Sequence, residues 1–291
     1  MQQNILITGS NGQLGNEMKK ILKGDNSFNA FFTDIEELDI TNLSAVEKFT
    51  VSNNINYIIN CAAYTAVDLA EDNIDIANNI NHIAIENLGK AAYKAKAKVI
   101  HISTDYVFDG TSCYPYSEDD KTNPQSVYGT TKLNGEKALS KILPNDSIII
   151  RTAWLYSPFG KNFVKTMITL GKTKDGLNVV ADQIGTPTYA GDLANAIYEI
   201  IISKKWIPGI YHFTNEGVCS WYDFTKIIHK IAGITTCYIK PITTEEYPVK
   251  AQRPAYSVLS KSKIKQTYGI QIPYWIDSLE KCIKELNQEI K

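Results

Sequence analysis

An apolar run, Asn4-Ile-Leu-Ile-Thr8, passes directly into Gly9-Ser-Asn-Gly12-Gln-Leu-Gly15, and residues 13–22 then take up helical spacing. No other stretch constrains the fold as much. A short apolar run closed by glycine reads as a strand buried on both faces of a parallel sheet. The glycines allow a tight turn, a backbone that comes close to a pyrophosphate, and tight packing of helix on strand. The helix start offers free N–H groups and a positive dipole end to phosphate oxygens. The spacing is Gly-x-x-Gly-x-x-Gly rather than Gly-x-Gly-x-x-Gly, but the same mechanism serves both. With a strand before and a helix after, Gly9, Gly12 and Gly15 point to a dinucleotide site.

The alternation continues. Residues 30–33, 57–60, 98–102 and 147–151 predict further strands, and 43–51 (capped by Thr41 or Asn42), 75–96 and 125–142 predict helices. This order predicts an α/β fold, a Rossmann-like doubly wound parallel sheet covered on both faces. The second half is less regular. Residues 163–170, 192–202, 221–231 and 277–290 predict helices and 210–213 a strand, while prolines at 208, 241, 248, 254 and 273 interrupt the rest. The expected division is a dinucleotide-binding domain over 1–151 and a smaller, mainly substrate-binding lobe over 152–291. Some later segments are expected to return to the first domain. The lobe would cover the carboxyl edge of the sheet, where open α/β sheets bind ligands.

Asp34 closes the second strand about 20 residues after the glycine turn, where a carboxylate accepts from a ribose 2′-OH and repels a 2′-phosphate. This leans toward NADH. Asp39 and Ile40 follow; they lie beneath the adenine, or Asp39 caps the next helix. Asn60-Cys-Ala62-Ala63-Tyr64-Thr65 ends the third strand in small residues, which suit a backbone running against a cofactor.

Tyr128-Gly-Thr-Thr-Lys132 places a phenol and an ammonium four residues apart, on one helix face. A neighbouring cation lowers a tyrosine pKa, so Tyr128 is expected to be acidified by Lys132 and to exchange a proton with a carbonyl or hydroxyl. Thr104 leaves the fourth strand at the same edge; its hydroxyl holds a substrate oxygen or merely satisfies turn amides. The expected reaction is hydride transfer from NADH or NADPH to a ketone carbon. Tyr128 gives the proton, Lys132 holds the nicotinamide ribose and Thr104 positions the oxygen.

Composition narrows the partners. Among 291 residues the net charge is −1, so no global field draws nucleic acid or an anionic membrane. No apolar run of about 18 residues and no basic leader occurs, so neither a transmembrane helix nor a signal peptide is expected. Five scattered cysteines without a Cys-x-x-Cys pair suggest neither a disulfide frame nor a zinc site, and fit a reducing cytoplasm. His82, His101, His212 and His229 lack ligand spacing and read as core or surface.

Together these residues resemble the extended short-chain dehydrogenase/reductase family, and within it the dTDP-4-dehydrorhamnose reductases. The segments that carry the likeness are Asn60–Glu71, Ser103–Gly110, Tyr128–Glu136, Arg151–Tyr156, Gly185–Thr188 and Arg253–Ser257, and the likeness runs from residue 4 to about 260. Ser103-Thr-Asp-Tyr-Val-Phe-Asp-Gly110 is the most specific block. The resemblance implies reduction of the C4 ketone of a dTDP-4-keto-6-deoxy sugar, with Thr104, Tyr128 and Lys132 as the catalytic set. It places Gln13, Leu14, Asp34, Asp39, Ile40, Ala63, Tyr64 and Thr65 by the cofactor, and Thr104, Asp105 and Trp154 against the substrate. Val67, Asp68 and Tyr106 would line the sugar pocket. Arg253 would fork onto the diphosphate, or be a surface arginine; Trp154 is otherwise core.

Members of the family often accept both NADH and NADPH, and some dimerise through magnesium held by acidic residues. A homodimer is therefore open here. Glu17 matches one ligand position, but Tyr189-Ala-Gly-Asp-Leu193 does not supply an adjacent acidic pair, so no metal is expected and Asp192 is read as a helix cap. The competing readings are a 4-epimerase or 4,6-dehydratase of the same fold, or a non-catalytic regulatory subunit. A dehydratase would need a glutamate after Asp105, where this chain has Tyr106, and a subunit without catalysis would not need Thr104, Tyr128 and Lys132 together.

Overall fold

The central sheet is assembled from the apolar runs that end in small or polar residues. In a computed structural model that describes residues 2–289, β1 (Gln3–Thr8), β2 (Phe28–Thr33), β3 (Tyr57–Asn60), β4 (Lys98–Thr104) and β5 (Ser147–Thr152) lie side by side with Gly209–His212. The order across this six-stranded sheet is 209–212, β5, β4, β3, β1, β2, and every pairing is parallel. Both faces are covered, which is why the strands read as unbroken apolar runs instead of alternating ones.

On one face α1 (Gln13–Leu22) sets Leu14, Met18 and Leu22, four residues apart, against Leu193, Ile197, Ile200 and Ile201 of the helix Ala190–Ile202. Each such buried side chain contributes roughly 1.5–3 kcal/mol. On the other face α2 (Leu43–Ser52) and the helices Ala84–Ala95 and Val127–Ile142 enclose Leu6, Ile58, Leu88, Val99 and Ile149. Asn42 caps α2, accepting from Ala45 N at 3.1 Å. A further core, with Tyr156, Tyr189, Phe224, Trp275 and Leu279, holds the later segments together. Gly176–Val180 and Tyr238–Ile242 form a separate two-stranded parallel pair there. Pro241 hides the second of these strands from a sequence pattern, yet a proline is tolerated in a ribbon that has only one neighbour.

Three local expectations change. The long helix expected over 75–96 is broken: Ile74–Asn78 and Ala84–Ala95 are α-helical, and Asn79–Ile83 between them is a π turn. The wider turn aims Asn81 inward, where it accepts from Tyr64 N (2.9 Å) and donates to Tyr64 O (3.1 Å) and Thr131 Oγ1 (3.2 Å). Asp192 is not a cap, because its helix begins two residues earlier; it is buried and accepts from Asn215 and Ser278. Asp39 does not cap α2 either. Its carboxylate accepts from Thr41 N and Thr41 Oγ1, and Asn42 makes the cap. Among the described residues no helix is long and apolar enough to cross a membrane.

Candidate active site

The carboxyl ends of β1, β3 and β4 and the start of the helix Val127–Ile142 meet at one edge of the sheet. The glycine turn comes first. Gly9 has φ of +64°, and a Cβ there would stand 2.6 Å from Ala62 Cα. Glycine is therefore what lets β1 and the end of β3 close on one another. Gly12 precedes α1, whose first turn holds no acidic side chain, so its N–H groups and dipole are free for an anion. A cavity of about 410 Å³ opens in front of the turn. Gly9, Gly12, Asp34, Asp39, Ile40, Ala62 and Ala63 line it, together with Ile35, Leu38, Thr41 and Ile80. A carboxylate beside an apolar wall, facing a helix N-terminus, has the donor set for an adenosine diphosphate moiety. Asp34 accepts from Asn11 N (3.0 Å) and Ile35 N (2.9 Å), which fixes its carboxylate at the cavity mouth.

A second cavity of about 530 Å³ shares Gly12, Cys61 and Ala63 with the first, so the two form one cleft. Here lie Gln13, Leu14, Thr65, Val67, Thr104, Asp105, Tyr106, Tyr128, Lys132, Trp154 and Arg253. Every expected catalytic residue, and every expected substrate residue except Asp68, thus faces one space; Asp68 does not line it and is instead paired with Arg253. Gly15 and Tyr64 support the wall instead: Gly15 packs on Gly9 and Ser10, and the Tyr64 backbone is held by Asn81.

The helix that carries Tyr128 and Lys132 is placed by its cap and by one close approach. Ser126 Oγ accepts from Gly129 N (3.1 Å), and Glu71 accepts from Val127 N (2.9 Å). A Cβ on Gly129 would lie 2.2 Å from Tyr106 O; glycine beside Tyr128 is what seats the helix on the turn after β4. Thr104 Oγ1 accepts from Tyr106 N (3.2 Å) and donates to Asp105 Oδ1 (3.0 Å), so it serves the turn as well as facing the cleft. Tyr106 and Tyr128 meet edge to face at 5.5 Å.

The electrostatics reverse one expectation. Burial pushes the Tyr128 phenol up from its ordinary range, its contact with Thr104 pulls the other way, and Asp105 and Tyr106 add to the rise. Lys132 does not acidify it here. Its amine is drawn to Ile102 O at 2.6 Å and lies 3.4 Å from His101 Nε2, and burial pushes its own pKa down to about 8. Tyr128 is thereby kept protonated. Burial also raises the Asp105 carboxyl to about 6, and among the described residues its buried Oδ2 finds no hydrogen-bond partner.

Arg253 does not stand free. Its Nη2 donates to Asp68 Oδ2 (2.6 Å) and its Nη1 to Tyr106 Oη (3.2 Å), which ties the irregular segment near Pro254 to the pocket wall. Trp154 adopts φ of +49° and stacks on Trp221. Trp221, Lys161 and Asn162 also line the cleft and were not expected. Nothing near Trp221 in the sequence signals its role, since it arrives from a helix 67 residues beyond Trp154. Glu136 was legible in principle: it lies four residues past Lys132 on the same face, and it receives Ser103 Oγ and two N–H groups of Arg151 (3.0 and 2.7 Å). Glu17 is buried and pairs with Lys20 at 3.2 Å, and among the described residues no three side chains are grouped to hold a metal.

The family described as RmlD substrate binding domain matches residues 3–288. The chain belongs to this family. The RmlD relatives include dTDP-4-dehydrorhamnose reductases that match over nearly their whole length. That of Aggregatibacter actinomycetemcomitans is 43% identical, covering 95% of this chain and 97% of the relative. The solved reductase of Clostridium acetobutylicum is 49% identical, with a TM-score of 0.94 and coverage of 98% of this chain and 100% of that one. The reductase of Bacillus anthracis, solved in complex with NADP, is 40% identical at the same TM-score and coverage.

Proposed function

We propose that this RmlD-family chain reduces the C4 ketone of dTDP-4-dehydro-6-deoxy-L-mannose (dTDP-4-dehydrorhamnose) to give dTDP-L-rhamnose, with NADH or NADPH as reductant. The observation that carries this reading is the single cleft that runs from the glycine cradle to Tyr128 and Thr104. When bound, the reduced nicotinamide supplies the hydride to C4. Tyr128, held neutral by burial, gives its phenolic proton to the ketone oxygen, so that C=O becomes CH–OH. Thr104 donates to the same oxygen and orients it. Lys132 holds the nicotinamide ribose. Asp105 offers its unpartnered Oδ2 to a sugar hydroxyl, and Trp154 supplies an apolar wall. Arg253, which lines the cleft and is balanced by Asp68, turns to the diphosphate.

Residues 1–151 act as the cofactor-binding part and 152–291 mainly as the substrate part, with Gly209–His212 and Ala190–Ile202 returning to the sheet. A homodimer is compatible with this reading, because the whole cleft is built from one chain. A cytoplasmic location agrees with five unpaired cysteines. The test is a panel of dTDP, UDP and GDP 4-keto sugars, followed by loss of nicotinamide absorbance. The dTDP sugar should turn over fastest; no turnover with any of the three, or purified protein that retains NAD and recycles it, would reject the reductase.

A further inference from the structure

A chain of buried polar groups crosses the sheet beneath the cleft, from β1 through β3 and β4 to the catalytic helix. Asn60 Oδ1 accepts from Thr8 Oγ1 (2.6 Å) and from Ala62 N (3.2 Å). A backbone N–H can only donate, so this carboxamide cannot be reversed, and its Nδ2 is the atom that faces His101 Nδ1 at 2.9 Å. His101 Nδ1 must therefore accept. The ring is fully buried, and burial together with Lys132 pushes its pKa well down, so it is neutral and carries its one proton on Nε2. That N–H points at Lys132 Nζ, 3.4 Å away. An ammonium there meets a donor; a neutral amine meets a partner for its lone pair, while its own N–H still reaches Ile102 O at 2.6 Å.

We propose that His101 is a positioning residue for the reduction: locked in one tautomer by Asn60, it turns an N–H toward Lys132, favours the neutral amine and so sets the pH at which the site loses its ammonium. This rests on the proposed reduction and adds to it a residue that touches neither substrate nor cofactor. The other ionisable groups around the amine are Tyr128 and Glu136 on its own helix, Cys61 at the end of β3, and Asp105 and Tyr106 after β4. Arg151 on β5 is engaged by Glu136. Of these, Glu136 raises the Lys132 pKa and burial lowers it; the proposal adds the His101 N–H, 3.4 Å from the amine, to the side of burial.

Two measurements test the proposal. In protein labelled with nitrogen-15 at histidine, the ring nitrogens of His101 (assigned by loss of its signals in His101→Gln) should show a bare Nδ1 and a protonated Nε2. This reading needs neither substrate nor turnover, so it stands or falls separately from the proposed reaction. Secondly, the alkaline limb of kcat/KM should move up by about one pH unit, tenfold in the acid constant, in His101→Leu. His101→Gln should leave it in place, because a glutamine can accept from Asn60 and still turn an N–H toward Lys132. A proton on Nδ1, or one alkaline limb shared by wild type and both variants, would overturn the proposal. Should His101→Leu fail to fold, the tautomer measurement on wild type decides alone.

Discussion

Trp154 lies face to face on Trp221, with ring centroids 3.5 Å apart and planes 12° from parallel. The first indole sits on a left-handed backbone, φ +49°, a conformation that costs a non-glycine residue roughly 1–2 kcal/mol. The second opens the helix Trp221–Ile231, whose start is fixed by a Ser220–Asp223 capping box. The rigid helix end therefore clamps a strained wall of the pocket. Trp221→Ala removes the clamp, and a stacked aromatic pair is worth about 0.5–1.5 kcal/mol beyond its buried area. KM for the keto sugar should rise roughly 3- to 10-fold with kcat nearly unchanged, while Trp221→Phe should keep most of the affinity. Steady-state kinetics of the two variants check this; a fall in kcat without a rise in KM would count against the clamp.

Tyr128→Phe leaves the ring in its edge-to-face contact with Tyr106 and removes only the hydroxyl. A positioned acid contributes about 10²- to 10⁴-fold, so kcat should fall by that factor. Cofactor affinity, read by titrating protein fluorescence with NADH, should hold within a factor of a few. Equal turnover in the two proteins would reject Tyr128 as the donor.

The sheet was legible because a parallel strand buried on both faces must be apolar throughout, and because glycine marks the one turn where β1 meets Ala62. Tyr128 and Lys132 were legible because helix periodicity brings residues four apart together. What escaped is what folding adds from a distance. Trp221 reaches Trp154 only after the later lobe has packed, and Asn81 reaches Tyr64 only through a π turn that no residue pattern announces. The acidity of Tyr128 was misread for the same reason. Spacing gives proximity to Lys132, but burial, and the pull of Ile102 O on the amine, decide the direction.

Glu136 and Arg151 form a fully buried pair, each side chain 2% exposed, and Glu136 also receives the hydroxyl of Ser103, next to Thr104. Among the described residues Arg151 Nη1 is already without a hydrogen-bond partner. Glu136→Gln would leave the guanidinium uncompensated, a loss of about 3–5 kcal/mol. Chemical denaturation should show it as a lower midpoint. The double variant Glu136→Gln/Arg151→Met should recover part of the loss, because the stranded charge is gone. A double variant no more stable than Glu136→Gln would show that shape, not charge, carries the effect.

Asp105 gives the pH dependence of stability a definite sign. Its folded pKa of about 6 lies above the ordinary value of 3.8, so the protonated carboxyl is the form the fold prefers. That contribution is complete below about pH 4 and is lost as pH rises to about 6, since the unfolded chain ionises first. Above this window the wild type keeps a buried carboxylate with one oxygen unpaired, a cost of about 3 kcal/mol. Asp105→Asn should therefore match wild type at pH 4 and exceed it by about 2–3 kcal/mol at pH 7.5, as read from urea midpoints at the two pH values. A gap that does not widen would remove burial as the cause of the raised pKa. The same variant should bind the keto sugar more weakly, because an acceptor left unpaired in the cleft serves recognition at the expense of stability.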